Sequence, residues 1–140
     1  MTEAVEVGAR GACAALADAG EVAPNVVVRA ALDTTVDDVL AADGYVLGTP
    51  ANLGYMSGAL KHVFDQIYEP CLDRTVGRPY GLYLHGRTDT DGARLAIEKI
   101  TTGLKWRLVQ EPVSSLGPTR ATTTDACWEL GAALAATVAS

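Results

Sequence analysis

The sequence predicts an α/β fold, a parallel sheet with helices packed on both faces, in a single domain spanning residues 1–140. Three observations predict it. Short apolar runs of strand length alternate with stretches whose apolar residues recur every 3.6 positions, the pattern of parallel strands joined by right-handed helical crossovers. The short runs are mostly apolar at successive positions, as suits strands covered on both faces. Hydrophobic residues make up 49% of the chain and charged residues 20%, which suits one packed core and excludes a disordered chain.

The elements follow in order. Val5, Gly8, Ala12, Ala15, Leu16 and Ala19 fall on one helical stripe, so residues 3–19 read as an amphipathic helix with Gly20 at its C-terminal end. Val26 to Leu32, entered past Pro24 and Asn25, reads as a β-branched strand. Asp33, Thr34 and Thr35 offer caps for a short helix with Val36, Val39 and Leu40 on one side, ended by Gly44. A second strand, Tyr45 to Gly48, stops at Thr49-Pro50 because proline cannot donate to a ladder. After a loop from Thr49 to Ser57, the spacing of Ala59, Leu60, Val63, Phe64, Ile67 and Tyr68 predicts a helix up to Pro70. Tyr80 to Leu84 reads as a third strand, Asp91 to Gly103 as a helix, and Lys105 to Val109 as a fourth strand. Thr123, Thr124 and Asp125 predict the start of a last helix carrying Trp128, Leu130, Leu134 and Val138. The alternation begins with a helix, where an open α/β sheet normally begins with a strand.

Composition excludes several function classes. Eleven basic against 17 acidic residues give a net charge of -6, the wrong sign for a phosphate-backbone binder, so no nucleic-acid partner is expected. Every apolar run is broken too early to span a membrane, and Met1 to Glu6 shows no basic region before an apolar stretch, so a cytoplasmic location is expected. Cys13, Cys71 and Cys127 are odd in number and form no CxxC pair, which predicts reduced thiols rather than a disulfide framework or a zinc site. No GxGxxG, Walker, HExxH or GxSxG motif occurs. Asp37-Asp38 and Asp89-Thr90-Asp91 read as acids at helix starts, and Lys61 and His62 as a solvated helix face.

Two loops carry the candidate chemistry, because ligands of open parallel sheets bind beyond the carboxyl ends of the strands. The first runs from Gly48 to Gly58, where glycines let backbone amides approach a planar ligand and Asn52 and Tyr55 add polar or stacking contacts. The second, His85-Gly86-Arg87-Thr88-Asp89, ends the next strand on the same side. Composition alone allows both to be ordinary connections, with His85 a strand-end histidine and Arg87 a solvated cation.

Ala42-Asp43-Gly44-Tyr45-Val46-Leu47-Gly48-Thr49-Pro50, Gly54-Tyr55-Met56-Ser57-Gly58-Ala59-Leu60-Lys61 and Phe64-Asp65 together resemble the third strand, flavin loop and third helix of the flavodoxin-like family. Within it, the sequence is most similar to the NAD(P)H-dependent FMN and quinone reductases. The resemblance implies a three-layer sandwich with family strand order 2-1-3-4-5 and FMN at the point where the order reverses, for which flavodoxin is a standing example. It implies a flavoprotein that takes electrons from NAD(P)H and passes them to a quinone or flavin acceptor. Thr49, Pro50, Ala51, Asn52, Leu53, Gly54 and Tyr55 would edge the flavin ring, and His85, Gly86 and Arg87 would belong to the second flavin loop. The sequence opens inside the family's first helix, so the first strand and the Ser/Thr/Gly phosphate loop are missing, and low FMN occupancy of this chain is expected. Without that strand, Val26 to Val28 and Tyr45 to Leu47 face a gap, which predicts a homo-oligomer or a rearranged sheet in which those two strands pair. The alternative reading is a flavin-free flavodoxin-like remnant that acts as an interaction module.

Overall fold

The ends of the helices show why the chain divides where it does. The structure, a computed structural model of Met1 to Ser140, places α1 over Thr2–Asp18 and α2 over Val36–Ala41. A capping box starts α2: the Thr35 hydroxyl accepts from the Asp38 amide, and the Asp38 carboxylate accepts from the Thr35 amide. These bonds hold the Asp38 carboxyl below its ordinary range, with the Thr35 amide the largest cause. At the other end, the Arg78 guanidinium donates to the carbonyls of Val39, Leu40 and Ala42 at 2.8–3.1 Å, satisfying oxygens that the helix leaves open.

Strand β1 covers Tyr45–Pro50, α3 Gly58–Cys71, β2 Pro79–Gly86, α4 Asp91–Gly103, β3 Arg107–Leu108, β4 Val113–Leu116 and α5 Ala121–Ala139. All pairings are parallel. β1 lies on one side of β2, from Tyr45↔Tyr80 to Pro50↔His85, while β3 and β4 share its other side. Between Leu108 and Val113 the outer chain advances five residues while β2 advances three, from Tyr80 to Tyr83, so Pro112 falls in an interruption of one edge strand.

Helices α1 and α5 cover one face of the sheet and α2, α3 and α4 the other, the three-layer α/β/α sandwich of the flavodoxin-like fold. On the α3 and α4 side, Phe64, Ile67, Leu82, Leu84, Ile97 and Leu104 form the main core with almost no exposure. Trp106 closes it, its ring stacked on Tyr45 at 4.2 Å and its indole N–H donating to Thr75. On the α5 side, a smaller cluster joins Val5, Val113, Cys127 and Leu130. Burial raises the Cys71 and Cys127 thiol pKa values, and all three cysteines are free.

Four expectations change. Val26 to Ala30 is not a strand: it makes no ladder, and Ala31–Asp33 turns as a short 3-10 helix packed on α3. A β-branched run becomes a strand only within ladder distance of an edge, and this run does not pair with the outer edge of β1. Helix α3 runs one residue past Pro70, because in its last turn only one further residue has to be accommodated. Helix α5 begins at Ala121 rather than at Thr123 to Asp125, with no side-chain cap. The edge strand predicted as Lys105 to Val109 is only Arg107–Leu108, and its continuation β4 lies in Val113-Ser114-Ser115-Leu116.

Glycines set how closely α1 and α5 approach. A Cβ on Gly8 would stand 1.9 Å from the Trp128 carbonyl oxygen, and one on Gly131 would stand 2.0 Å from that of Val5. A Cβ on Gly11 would meet only the Trp128 ring, at 3.5 Å. Gly11→Ala should therefore stabilise the protein by about 0.5–1 kcal/mol through helix propensity. Gly8→Ala, the same exchange one turn earlier, should destabilise it by roughly 1–3 kcal/mol. Urea unfolding of the two variants measures both signs, and equal effects would contradict the close backbone approach.

Candidate functional site

Both loops singled out in the sequence lie at the carboxyl end of the sheet, and hydrogen bonds tie them to one another. The Ala51 amide donates to the His85 carbonyl at 2.7 Å, which extends the β1–β2 ladder into the first loop. Buried Thr49 then fixes the loop's exit: its hydroxyl donates to the Pro50 carbonyl at 2.8 Å and accepts from the Ser57 amide at 2.9 Å. The Ser57 hydroxyl caps α3 by accepting from the Leu60 amide.

Between these anchors the loop doubles back. Asn52 and Tyr55 exchange backbone hydrogen bonds of 2.8 and 2.9 Å, across Leu53 and Gly54 with φ of 50° and 76°. Two successive positive φ values are those of a two-residue type I′ turn. The turn leans on the start of α4, where a Cβ on Gly92 would stand 2.1 Å from the Gly54 carbonyl oxygen. It presents Leu53 fully exposed and Tyr55 41% exposed. A leucine held at positive φ with no contact to compensate is strained locally.

The second loop is held from the far side. The Gly117 amide donates to the Gly86 carbonyl at 2.8 Å, and His85 Nε2 bonds to the Gly117 carbonyl at 2.8 Å. A carbonyl only accepts, so Nε2 carries a proton in this arrangement. Gly86 is buried and has no room for a side chain, since a Cβ would stand 2.7 Å from the Asp89 carbonyl oxygen. Arg87 is exposed and makes no ion pair.

Above these strand ends lies an open cleft of about 340 Å³, lined by Gly48, Thr49, Pro50 and His85 together with Met1, Thr2, Tyr83 and Thr119. Of the ten residues the sequence singles out, Thr49, Pro50 and His85 line it. The Asn52 to Tyr55 turn stands toward α4, and Gly86 and Arg87 belong to the adjoining loop. Sequence reading missed Tyr83 and Thr2, whose hydroxyls are hydrogen-bonded at 2.6 Å. Burial raises the Tyr83 phenol pKa, so it is neutral at physiological pH. Its ring lies across β1, where a Cβ on Gly48 would stand 2.0 Å from it. The two signals available were the alternation of Tyr83 with Leu82 and Leu84, which puts it on the opposite face, and the small residue at Gly48.

The cleft's lining carries no Lys or Arg to hold an anion. Backbone groups and Pro50 edge the cleft, and the Asn52 amide and the Tyr55 ring stand exposed on the neighbouring turn. The cleft's hydroxyls are those of Thr2, Thr49, Tyr83 and Thr119, and the first turn of α1, which opens with Thr2, also carries Glu3. Gly8 to Gly11 lies in the middle of α1 and offers no open amides to a phosphate. No group of three or more His, Cys, Asp or Glu residues is placed to hold a metal ion. No helix is long and apolar enough to cross a membrane.

No protein-family model matches the sequence, and no curated protein does. Solved structures do. A flavodoxin from the domain Archaea superposes with a TM-score of 0.77 at 16% identity, over 97% of this chain and 86% of that one. Oxidised flavodoxin 2 from Bacillus cereus gives 0.71 at 20% identity, over 97% and 90%. The flavodiiron protein from Giardia intestinalis gives 0.77 at 12% identity, over 98% of this chain and 32% of that larger one. At these identities the likeness is one of fold.

The strain at Leu53 yields a prediction. Leu53→Asn, which tolerates positive φ, should leave the melting temperature unchanged or raise it, by up to about 1 kcal/mol in stability. A clear drop in thermal unfolding would mean that the exposed leucine makes a stabilising contact absent from this arrangement.

Proposed function

We propose that this chain is a flavin-binding redox protein, with the flavin ring against the carboxyl ends of β1 and β2. The observation that carries the reading is the cleft itself. In a fold shared with flavodoxins, it sits at the strand ends beside a turn that presents an amide and an aromatic ring. In this reading, the carbonyls of Pro50 and Ala51 and the Asn52 side-chain amide bond to the polar edge of the ring. Tyr55 lies against its face, and Gly86 lets the second loop approach.

When bound, FMN would supply the redox chemistry: it accepts electrons from NAD(P)H and passes them to a quinone or a second flavin. The protein's share is positioning. The ladder bond from Ala51 to His85 and the Thr49 clasp hold the loop still, so ring contacts cost little ordering on binding. Exposed Leu53 and Tyr55 leave a rim on which an acceptor can rest.

Flavin titration, followed by quenching of flavin fluorescence, tests the reading. Tyr55→Ala should weaken binding about three- to tenfold, the worth of one aromatic contact. His62→Ala, on the exposed face of α3, should leave it unchanged. Riboflavin and FMN should bind this chain within about tenfold of each other, since Glu3 and the net charge of -6 offset what the Thr2 and Thr119 hydroxyls offer a phosphate. Absence of quenching by either flavin would refute the ring site. A normal affinity in Tyr55→Ala would remove the turn from it.

A further inference from the structure

At the amino ends of β2 and β3 the local charge is opposite in sign to that of the whole chain. Residues 72–78, between α3 and β2, and 104–108, from the end of α4 through β3, hold four of the 11 basic residues, Arg74, Arg78, Lys105 and Arg107, and one of the 17 acids, Asp73. Two main-chain bonds lock these segments together. The Gly77 amide donates to the Lys105 carbonyl at 2.7 Å, and the Arg107 amide to the Arg78 carbonyl at 2.9 Å. Behind them, the buried Thr75 hydroxyl accepts from the Trp106 indole at 2.8 Å and donates to the carbonyl of buried Cys71 at 3.1 Å. The cations therefore stand on one fixed platform.

Little on the chain itself answers these charges. Arg78 is engaged with the open carbonyls of α2, but Arg74 and Arg107 are exposed and make no ion pair. Lys105 reaches only Asp73, at 3.5 Å between two exposed side chains, an arrangement that contributes little. Neither Glu69, in the last turn of α3, nor Asp43, ahead of β1, pairs with any of them. Lys105 also sits at φ 61°, a left-handed conformation that costs free energy in any residue with a Cβ and that its exposed side chain does nothing to offset. Next to Gly77, Val76 stands 56% exposed, an apolar side chain set among the cations.

We propose that this face is a docking site for an acidic segment of a partner protein, in which a few carboxylates surround one apolar side chain. The carboxylates complement Arg74, Lys105 and Arg107, and the apolar side chain covers Val76. Charge sets the length of the segment: three available cations match a few carboxylates, whereas an extended polyanion or an anionic membrane would also meet the repulsion of a chain of net charge -6. Exposed ion pairs are individually weak and screened by salt, so the contact is transient, and its charges act mainly on the rate of encounter. The eight residues of β2, from Pro79 to Gly86, put this face about 20 Å from the strand ends at the cleft. A partner held here leaves the cleft open.

The test is a titration of the isotope-labelled full chain with a blocked peptide, a leucine flanked on each side by a pair of glutamates. The amide signals of Val76, Gly77, Lys105 and Arg107 should shift in a saturable way, and raising the salt from about 20 to about 200 mM should weaken binding at least about fivefold. Arg74→Glu together with Arg107→Glu should weaken it at least about tenfold. Arg74→Lys together with Arg107→Lys should keep it within about threefold, since charge rather than fork geometry carries exposed pairs. Arg10→Glu, a charge reversal on α1, should leave it unchanged. Both exchanged arginines are exposed, and the emission of buried Trp106 checks that the platform stays folded. Absence of shifts at these four amides in millimolar peptide would overturn the proposal, as would equal binding of the peptide with glutamines in place of its glutamates. Unchanged affinity in the folded double reversal would do the same. Displacement of the peptide by phosphatidylglycerol vesicles would give the face to a membrane surface and overturn it too. No flavin is present in this experiment, so its outcome is independent of the ring site.

Discussion

Every strand of this sheet is hydrogen-bonded to β2, and no other two strands are paired. That single strand therefore fixes both layers of the sandwich. Leu82 and Leu84, with almost no exposure, carry the core on the α3 and α4 side. Gly81 on the other face has no room for a side chain, because a Cβ would stand 2.6 Å from Leu130 of α5. The candidate site depends on the same strand. The first loop is tied to the His85 carbonyl and Gly117, between β4 and α5, to the Gly86 carbonyl, so the segments around the cleft hang from the last two residues of β2.

The interior keeps its polar groups paired. Tyr80 bonds to Thr101 at 2.9 Å, Trp106 to Thr75 at 2.8 Å and Thr90 to Ser114 at 2.6 Å, and no buried side-chain nitrogen or oxygen lacks a partner. These pairs join β2 to α4, α3's exit to β3's entry, and α4's start to β4. They convert apolar contact between layers into a defined register, which a slippery hydrophobic face alone does not supply. The outer edge of β1 stands out against this background, since β1 pairs with β2 alone.

Sequence patterning exposed the parts of the fold whose partners are local. The stripes of α3 and α4 and the apolar runs of β1 and β2 announce themselves by period, and Asp91 to Gly103 matches α4 at both ends. Thr35 was one of three caps visible ahead of α2, while Asp38 was read only as an acid at the helix start and its return bond to the Thr35 amide was not. Val26 to Ala30 misled, since β-branched composition reports suitability for a sheet and says nothing about whether the run comes within ladder distance of an edge. Strand β4 was hidden by two serines in Val113-Ser114-Ser115-Leu116, where Val113 and Ser115 face inward on a short edge. The site divides the same way. That Thr49 to Tyr55 and His85 to Arg87 sit at strand ends was legible from breakers and glycines, although β1 runs on through Pro50 and β2 through Gly86 instead of stopping at Gly48 and Leu84. The Thr2 and Tyr83 pair, 81 residues apart, depends on α1 docking across the sheet and leaves no local trace.

That docking has a consequence for how the chain reaches its native state. Helix α1 is made before every other element of this structure, and it packs on the one made after them all: Gly8 against Trp128, and Val5 against Gly131. Contacts spanning most of the chain carry a large loop-closure cost, and they cannot form during synthesis until α5 has left the ribosome. Throughout that interval α1 has only the sheet to lie on, through Val5, Val46 and Tyr83. The chain must finish α5 before α1 can seat fully.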